Sequence, residues 1–284
     1  MTLLRRSKRD AGAASQLVGV TPAEAGWRYI HFAAQRLPAG ETLRGDSGPN
    51  ETALVVLGGR CTVAAGATSF PHVGERADVW AKTPPFVVLL PPGCAYTVTA
   101  ETPLHLAVAG APAEPSPAGP PRLIRPEDVT VERRGEGQTY RFIQHVLPPS
   151  AEAARLILVE VYTPAGNWSS FPPHKHDTED PPRESYLEEV YYYQVDPPTG
   201  FALQRVYTDD RSLDETLAPG DGDLVLVPRG YHPVVATPGH ECYYLNVMAG
   251  PTRAWNFQPD PAYAHLMNWQ KPPVATAAPG EATR

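Results

Sequence analysis

The sequence predicts an all-β protein with a barrel or sandwich of short strands in each half of the chain. Three observations carry that reading. Its 284 residues include 34 Pro and 23 Gly, a composition that favours turns and strands over long helices. Short apolar runs rich in β-branched and aromatic residues recur along the chain with turn residues between them. A proline-rich stretch, residues 110–121, divides these runs into two sets.

In chain order, the first set comprises residues 27–32, 53–63, 86–90 and 105–108. The second includes 140–146, 156–161, 190–195, 201–207, 224–227 and 243–247. Residues 1 to about 20 and the tail from about 271, rich in Ala, Pro and Gly, read as mobile ends. The expected domains are 1–118 and 119–284.

Composition narrows the function. Apolar residues at 42% are enough for a core. A net charge of −7 argues against a general nucleic-acid binder, which needs a basic surface for phosphates. Cys61, Cys94 and Cys242 are few, odd in number and without metal spacing, which fits a reducing compartment. No apolar stretch follows the basic start, so neither a signal peptide nor a membrane span is expected, and the cytoplasm is the expected location.

The chemistry begins at Phe171-Pro-Pro-His-Lys-His-Asp177. On an extended segment His174 and His176 share one face, because side chains alternate with period two. The two prolines discourage helix before the pair. An isolated pair is equally well read as surface histidines on a polar loop. Later residues shift the balance. Glu189 opens a strand-like run, Glu-Val-Tyr-Tyr-Tyr-Gln-Val195, in step with Tyr191 and Tyr193. Gly222-Asp-Leu-Val-Leu-Val-Pro-Arg-Gly-Tyr-His232 is an apolar strand whose Pro/Gly turn delivers a third imidazole. A carboxylate buried among imidazoles is costly without a compensating cation, and three His with one Glu leave positions open, as in a catalytic metal site.

This order resembles the two motifs of the cupin superfamily: Gly, His-x-His, a spacer and Glu, then Gly, Pro-x-Gly and His. Gly166 leads the first, while Gly222, Pro228 and Gly230 fit the second, with His232 one position early. The spacer before Glu189 is longer than usual. The acidic, proline-containing stretch 177–188 therefore reads as an inserted loop, and it leaves Glu188 as a rival ligand to the preferred Glu189. In the first half Glu51, followed by six residues and Gly58, copies the Glu-to-Gly step, and Tyr96 stands in the last histidine's place. That half reads as a cupin barrel without its metal set.

Gly166–Asp177, Glu184-Ser-Tyr-Leu-Glu-Glu-Val-Tyr-Tyr-Tyr193, Gln204-Arg-Val-Tyr-Thr-Asp-Asp210 and Tyr243-Tyr-Leu-Asn-Val-Met-Ala-Gly250 resemble the 5-deoxy-glucuronate isomerase family of bacterial myo-inositol degradation. The resemblance implies two cupin (double-stranded β-helix or jelly-roll) barrels in tandem, the second carrying the active site. It also implies one divalent metal and conversion of 5-deoxy-glucuronate to 5-dehydro-2-deoxy-D-gluconate. The metal set is then His174, His176, Glu189 and His232, with ligand types that suit Zn, Mn, Fe, Co or Ni.

Around that set, Glu184, Glu188, Tyr191 and Tyr244 are candidates for the proton-transferring base. Arg183, Arg205 and Tyr193 are candidates for binding the sugar acid, an Arg being suited to its carboxylate. Gln204 and Arg205 face opposite sides of their strand, so at most one projects inward. Lys175 is expected to face solvent, and the inserted loop to form either a charged rim or a lid. The tyrosines are equally readable as aromatic core, and His145, His240 and His265 as structural residues. The same ligands also suit an Fe(II) dioxygenase, and a non-catalytic sugar-acid-binding protein is the reading from another class. Self-association into a homo-oligomer stays open.

Overall fold

The computed structural model of the chain describes residues 2–8, 15–114 and 119–269. Strands dominate it, and the helical segments are short, beginning with Pro22–Ala25. Thr21 caps that turn: its hydroxyl accepts the Glu24 N–H, and the Glu24 carboxylate accepts the Thr21 N–H at 2.9 Å. No helix among the described residues is long and apolar enough to cross a membrane.

The first half holds two sheets. One runs in the order Arg122–Ile124, Val87–Leu90, Asn50–Gly58, Leu104–Pro112, His31–Leu37, Ser15–Val20. The other runs Thr42–Asp46, Ala95–Ala100, Cys61–Ala65, Thr68–Val73. In the second half a seven-stranded sheet runs Leu4–Arg5, Leu224–Val227, Glu188–Asp196, Glu241–Ala249, Ile157–Thr163, Arg141–Leu147, Thr130–Arg134. A four-stranded sheet, Trp168–Ser169, Val234–Ala236, Ala202–Tyr207, Asp214–Leu217, shares a core with it. His174–Lys175 pairs separately with Gln258–Pro259.

Alternation decides which side chains enter which core. On Glu188–Asp196, Tyr191 and Tyr193 join the interior of the second half, while Val190 and Tyr192 face the other way. That outer face packs on the equivalent face of the first half, where Ala53, Val55 and Leu57 belong to the same core as Tyr192, Leu224 and Leu245. The large sheets are therefore buried on both faces, which explains their continuous apolar runs. Within this interface Arg76 of the first half makes a bidentate ion pair with Glu160 of the second, at 2.6 and 2.9 Å, and both side chains are almost fully buried.

Four expectations need correction. The stretch 110–121 is not all linker, because residues 110–112 end the strand Leu104–Pro112. A division at 118/119 also crosses two strand exchanges: Leu4–Arg5 edges the second half's sheet, and Arg122–Ile124 edges the first half's. The first 20 residues are not simply a mobile end, since Ser15–Val20 is paired and Leu3 is buried. The tail from 271 lies outside the described residues. Finally, Glu51 faces the inter-half core side with Ala53 and Val55, so its counterpart is Glu188 rather than Glu189. The inward position matching Glu189 is Thr52, in step with Leu54 and Val56.

Candidate metal centre

Three elements converge inside the second half. Extended backbone at His174–Lys175 sets His174 and His176 on one side, and their ring centroids lie 6.4 Å apart. Each ring lies 5.0 Å from that of His232, which the turn after Leu224–Val227 carries inward. Glu189, at the start of its strand, points its carboxylate into this group.

The tightest part is His176, Glu189 and His232, whose ligand-type atoms all lie within 4.8 Å of one another. Their residues are only 3%, 2% and 1% exposed. Glu189 Oε2 lies 3.0 Å from His176 Nε2 and 3.3 Å from His232 Nε2. The second contact lacks hydrogen-bond geometry, leaving His232 Nε2 buried without a hydrogen-bond partner. Backbone carbonyls fix the other ring nitrogens, Leu187 O at 3.0 Å from His176 Nδ1 and Gly230 O at 2.8 Å from His232 Nδ1. Because a carbonyl only accepts, Nδ1 is protonated in both rings and each Nε2 is turned toward the carboxylate. His174 is adjacent rather than central: its ring packs 4.7 Å from Phe257, and its Nδ1 lies 3.3 Å from Pro172 O.

Electrostatics favour an added cation. Burial drives His232 down to about 3, against the pull of Glu189. Burial, and then the neighbouring His176, bring His174 to about 3 as well. Burial also lowers His176, but its hydrogen bond to Glu189 and that group's charge outweigh the effect and raise it. Two imidazoles that burial keeps neutral, His174 and His232, the latter with an unpartnered Nε2, stand with His176 around a buried carboxylate and form a donor set suited to a divalent ion.

Glu188 points away from this group. Its carboxylate accepts the backbone N–H groups of Arg28, Tyr29 and Ile30 at 2.7, 2.8 and 3.2 Å. Glu184 is likewise occupied, accepting N–H of Asp177 at 2.7 Å and of Thr178 at 3.0 Å, which closes the inserted loop on itself. Lys175 does not face solvent as expected. It lies 2.6 Å from Asp177 and 3.4 Å from Glu184, with its side chain 12% exposed. Asp177 also accepts the Gly230 N–H at 2.8 Å, tying the paired-histidine segment to the turn that bears His232.

The arginines predicted to bind substrate are not brought to the site. Arg205 faces outward and pairs with Asp214 at 2.7 Å, because Gln204 takes the inward position on that strand. Arg183 is exposed and pairs with Asp180. Tyr193 lies inside, but its hydroxyl donates to Gln204 Oε1 at 2.8 Å. The rings of Tyr191 and Tyr244 pack tilted, 4.8 Å apart, and Tyr191 lies 5.8 Å from the His232 ring. The Tyr191 hydroxyl meets Ser170 Oγ at 2.9 Å. Burial raises Tyr191 well above its ordinary value and Tyr244 to about 12, so both phenols stay protonated and serve as hydrogen-bond donors.

Two interior residues escaped the sequence reading, Arg141 and Asn246. Arg141 alternates with Ile143 into the core of the second half and is 3% exposed. Asn246 lies opposite Tyr191 on the neighbouring strand, and its Nδ2 is buried without a partner. Period-two alternation from Ile143 and Tyr244 was the signal for both.

Comparison with known proteins agrees with this fold. The chain is 49% identical over 261 residues to a 5-deoxy-glucuronate isomerase of Geobacillus thermodenitrificans, covering 92% of this chain and 94% of that protein. It is 41% identical over 249 residues to the Bacillus subtilis protein of the same name, covering 87% and 91%. A crystal structure of an IolB-like protein from Salmonella typhimurium superposes with a TM-score of 0.90 at 44% identity, covering 94% of this chain and all of that one. Oxalate decarboxylase of Lactobacillus farciminis, at 12% identity and a TM-score of 0.63 over 91% and 88% of the two chains, shares the cupin-type fold alone. With residues 3–266 matching its model, the chain belongs to the KduI/IolB family.

Proposed function

We propose that this protein is a metal-dependent aldose–ketose isomerase that converts 5-deoxy-glucuronate to 5-dehydro-2-deoxy-D-gluconate in the cytoplasm. The observation that carries the reading is the buried Glu189 carboxylate between His176 and His232, with an orphaned imidazole nitrogen beside it. The names of the Geobacillus and Bacillus relatives supply the substrate. Three free, buried cysteines suit a reducing compartment.

His174, His176, Glu189 and His232 would hold one divalent cation, of a kind that accepts imidazole and carboxylate: Zn, Mn, Fe, Co or Ni. Bound there, it supplies Lewis-acid stabilisation for the negative charge that develops on the sugar oxygens when the proton next to the carbonyl leaves. The chain's own groups do the rest. Tyr191 and Tyr244 present protonated phenols to the interior and stabilise the same charge by donating hydrogen bonds. Of the four candidate bases, Glu184 and Glu188 are committed to backbone N–H groups and the two phenols stay protonated, so the tyrosines act as hydrogen-bond donors and the proton is taken by a base other than these four. Buried aromatic rings around the cluster exclude water and strengthen each of these interactions.

The test is incubation of the metal-loaded protein with 5-deoxy-glucuronate under anaerobic conditions. Formation of the keto acid without oxygen is the expected result. Turnover only with oxygen uptake would make it a dioxygenase, and binding without turnover a sugar-acid-binding protein.

A further inference from the structure

We propose that Arg141 is the residue that binds the substrate's carboxylate, an inference that rests on the sugar-acid reading above. A sugar acid has two chemically different ends. The aldehyde end belongs at the His/Glu cluster, while the carboxylate end needs a cation inside the same interior. Arg205 and Arg183 are turned to the outside, and Lys175 is taken by Asp177 and Glu184. Arg141 remains.

Arg141 is 3% exposed, and among the described residues its guanidinium makes one hydrogen bond, from Nη1 to the Thr139 carbonyl at 3.0 Å. Among the described residues no carboxylate contacts it. The nearby Glu132 is already engaged by Arg134 at 2.7 and 2.8 Å and by His145 at 2.8 Å. Across the strand pair Arg141 faces another cation, Arg134. Burial, followed by the charge of Arg134, holds its pKa down to about 10, which still leaves it charged at neutral pH. A buried charge whose nearby carboxylate is already shared by Arg134 and His145 is costly, and an anion arriving from outside offsets that cost.

Position supports the assignment. Arg141 is buried two residues before Ile143 on the inward face of its strand, and Ile143 belongs to the core that holds Tyr191, Tyr193 and Tyr244. Asn246, opposite Tyr191 on the neighbouring strand, adds a buried Nδ2 without a hydrogen-bond partner. An interior with a buried guanidinium and an unmatched amide donor suits a hydroxylated carboxylate. The planar guanidinium can hold that carboxylate in a bidentate pair.

The experiment compares wild type, Arg141→Met and Arg141→Lys, each metal-loaded and checked for unchanged metal content and melting temperature. Two readouts are used: kcat/KM for 5-deoxy-glucuronate, and calorimetric binding of D-glucuronate as a carboxylate-bearing probe, with its turnover followed in parallel. R141M is expected to lose about 100-fold or more in both, and R141K about 10-fold, because it keeps the charge but not the fork. If R141M does not fold, R141K carries the comparison alone. The analogue bearing a primary alcohol in place of the carboxylate should not discriminate wild type from either variant. Wild-type turnover with undiminished kcat/KM and probe binding in the folded variants would overturn the Arg141 assignment and leave the isomerase reading intact. Wild type that binds D-glucuronate through Arg141 but does not isomerise the sugar acid would sink the isomerase reading and keep this one. Equal probe binding by all forms of an inactive protein would overturn both.

Discussion

Glu51 and Glu188 perform the same task in opposite directions across the two halves. Glu51 accepts the backbone N–H groups of Ala154, Arg155 and Leu156 at 2.7, 2.9 and 3.0 Å, just before the strand Ile157–Thr163. Glu188 does the same for residues 28–30, just before the strand His31–Leu37. Each carboxylate holds the entry of a strand in the other half. Their neighbours on the inward faces then diverge: Thr52 follows Glu51, and Glu189 follows Glu188.

This reciprocity separates stability from metal binding. Glu51→Gln and Glu188→Gln should each cost about 2–4 kcal/mol of folding stability, because a neutral amide replaces charge-assisted bonds and leaves buried N–H groups short of acceptors. Glu189→Gln should lose bound metal with a much smaller effect on the chelated protein's stability. Urea unfolding and elemental analysis of the three variants check this. Metal loss confined to Glu188→Gln would reverse the ligand assignment.

The Arg76–Glu160 pair makes a second prediction. Arg76→Met should destabilise the protein by about 3–5 kcal/mol, since Glu160 is left buried with only the Tyr243 hydroxyl at 2.7 Å. Replacing both residues with Met should recover most of that loss, as apolar groups need no partner there. Denaturant midpoints of the single and double variants provide the comparison.

Acid should unfold the protein partly through Glu132. Burial raises its pKa, but hydrogen bonds from His145 and Arg134 dominate and bring it to about 2. A carboxylate depressed in the folded state stabilises the fold above its ordinary value of 4.5, and that contribution fades as pH falls toward about 2. Glu132→Gln should flatten the stability profile in this window and cost on the order of 3 kcal/mol at neutral pH. Melting temperatures across that range test the slope.

Arg183→Ala and Arg205→Ala should leave kcat/KM within about twofold of wild type, since their ion pairs are exposed and such pairs contribute little. A loss of tenfold or more in either variant would show that the outer face takes part in catalysis.

Much of this was legible in the sequence because alternation is a local property. The run from Glu189 to Val195 specified which tyrosines face inward, and the Pro/Gly turn before His232 specified an imidazole at a strand end. What escaped depends on long-range partners. The two-residue strand at Leu4–Arg5 has no periodicity of its own and is defined only by its pairing with Leu224 and Val225. Glu51 matched the motif spacing, yet only the facing N–H groups of residues 154–156 reveal that it belongs with Glu188. Lys175 was expected in solvent because nothing nearby in sequence announces that Glu184 folds back onto it. Arg141 sits alone in an ordinary strand, and that its nearby carboxylate, Glu132, is taken by Arg134 and His145 becomes visible only once every neighbour is placed.

The most direct test of the metal-dependent isomerase is anaerobic turnover of 5-deoxy-glucuronate by one preparation, measured before chelation, after chelation verified by elemental analysis, and after metal is restored. Activity should vanish with the metal and return with it, while a chelated His232→Ala variant regains neither stoichiometric metal nor activity. Undiminished turnover by the fully metal-free protein would contradict the account.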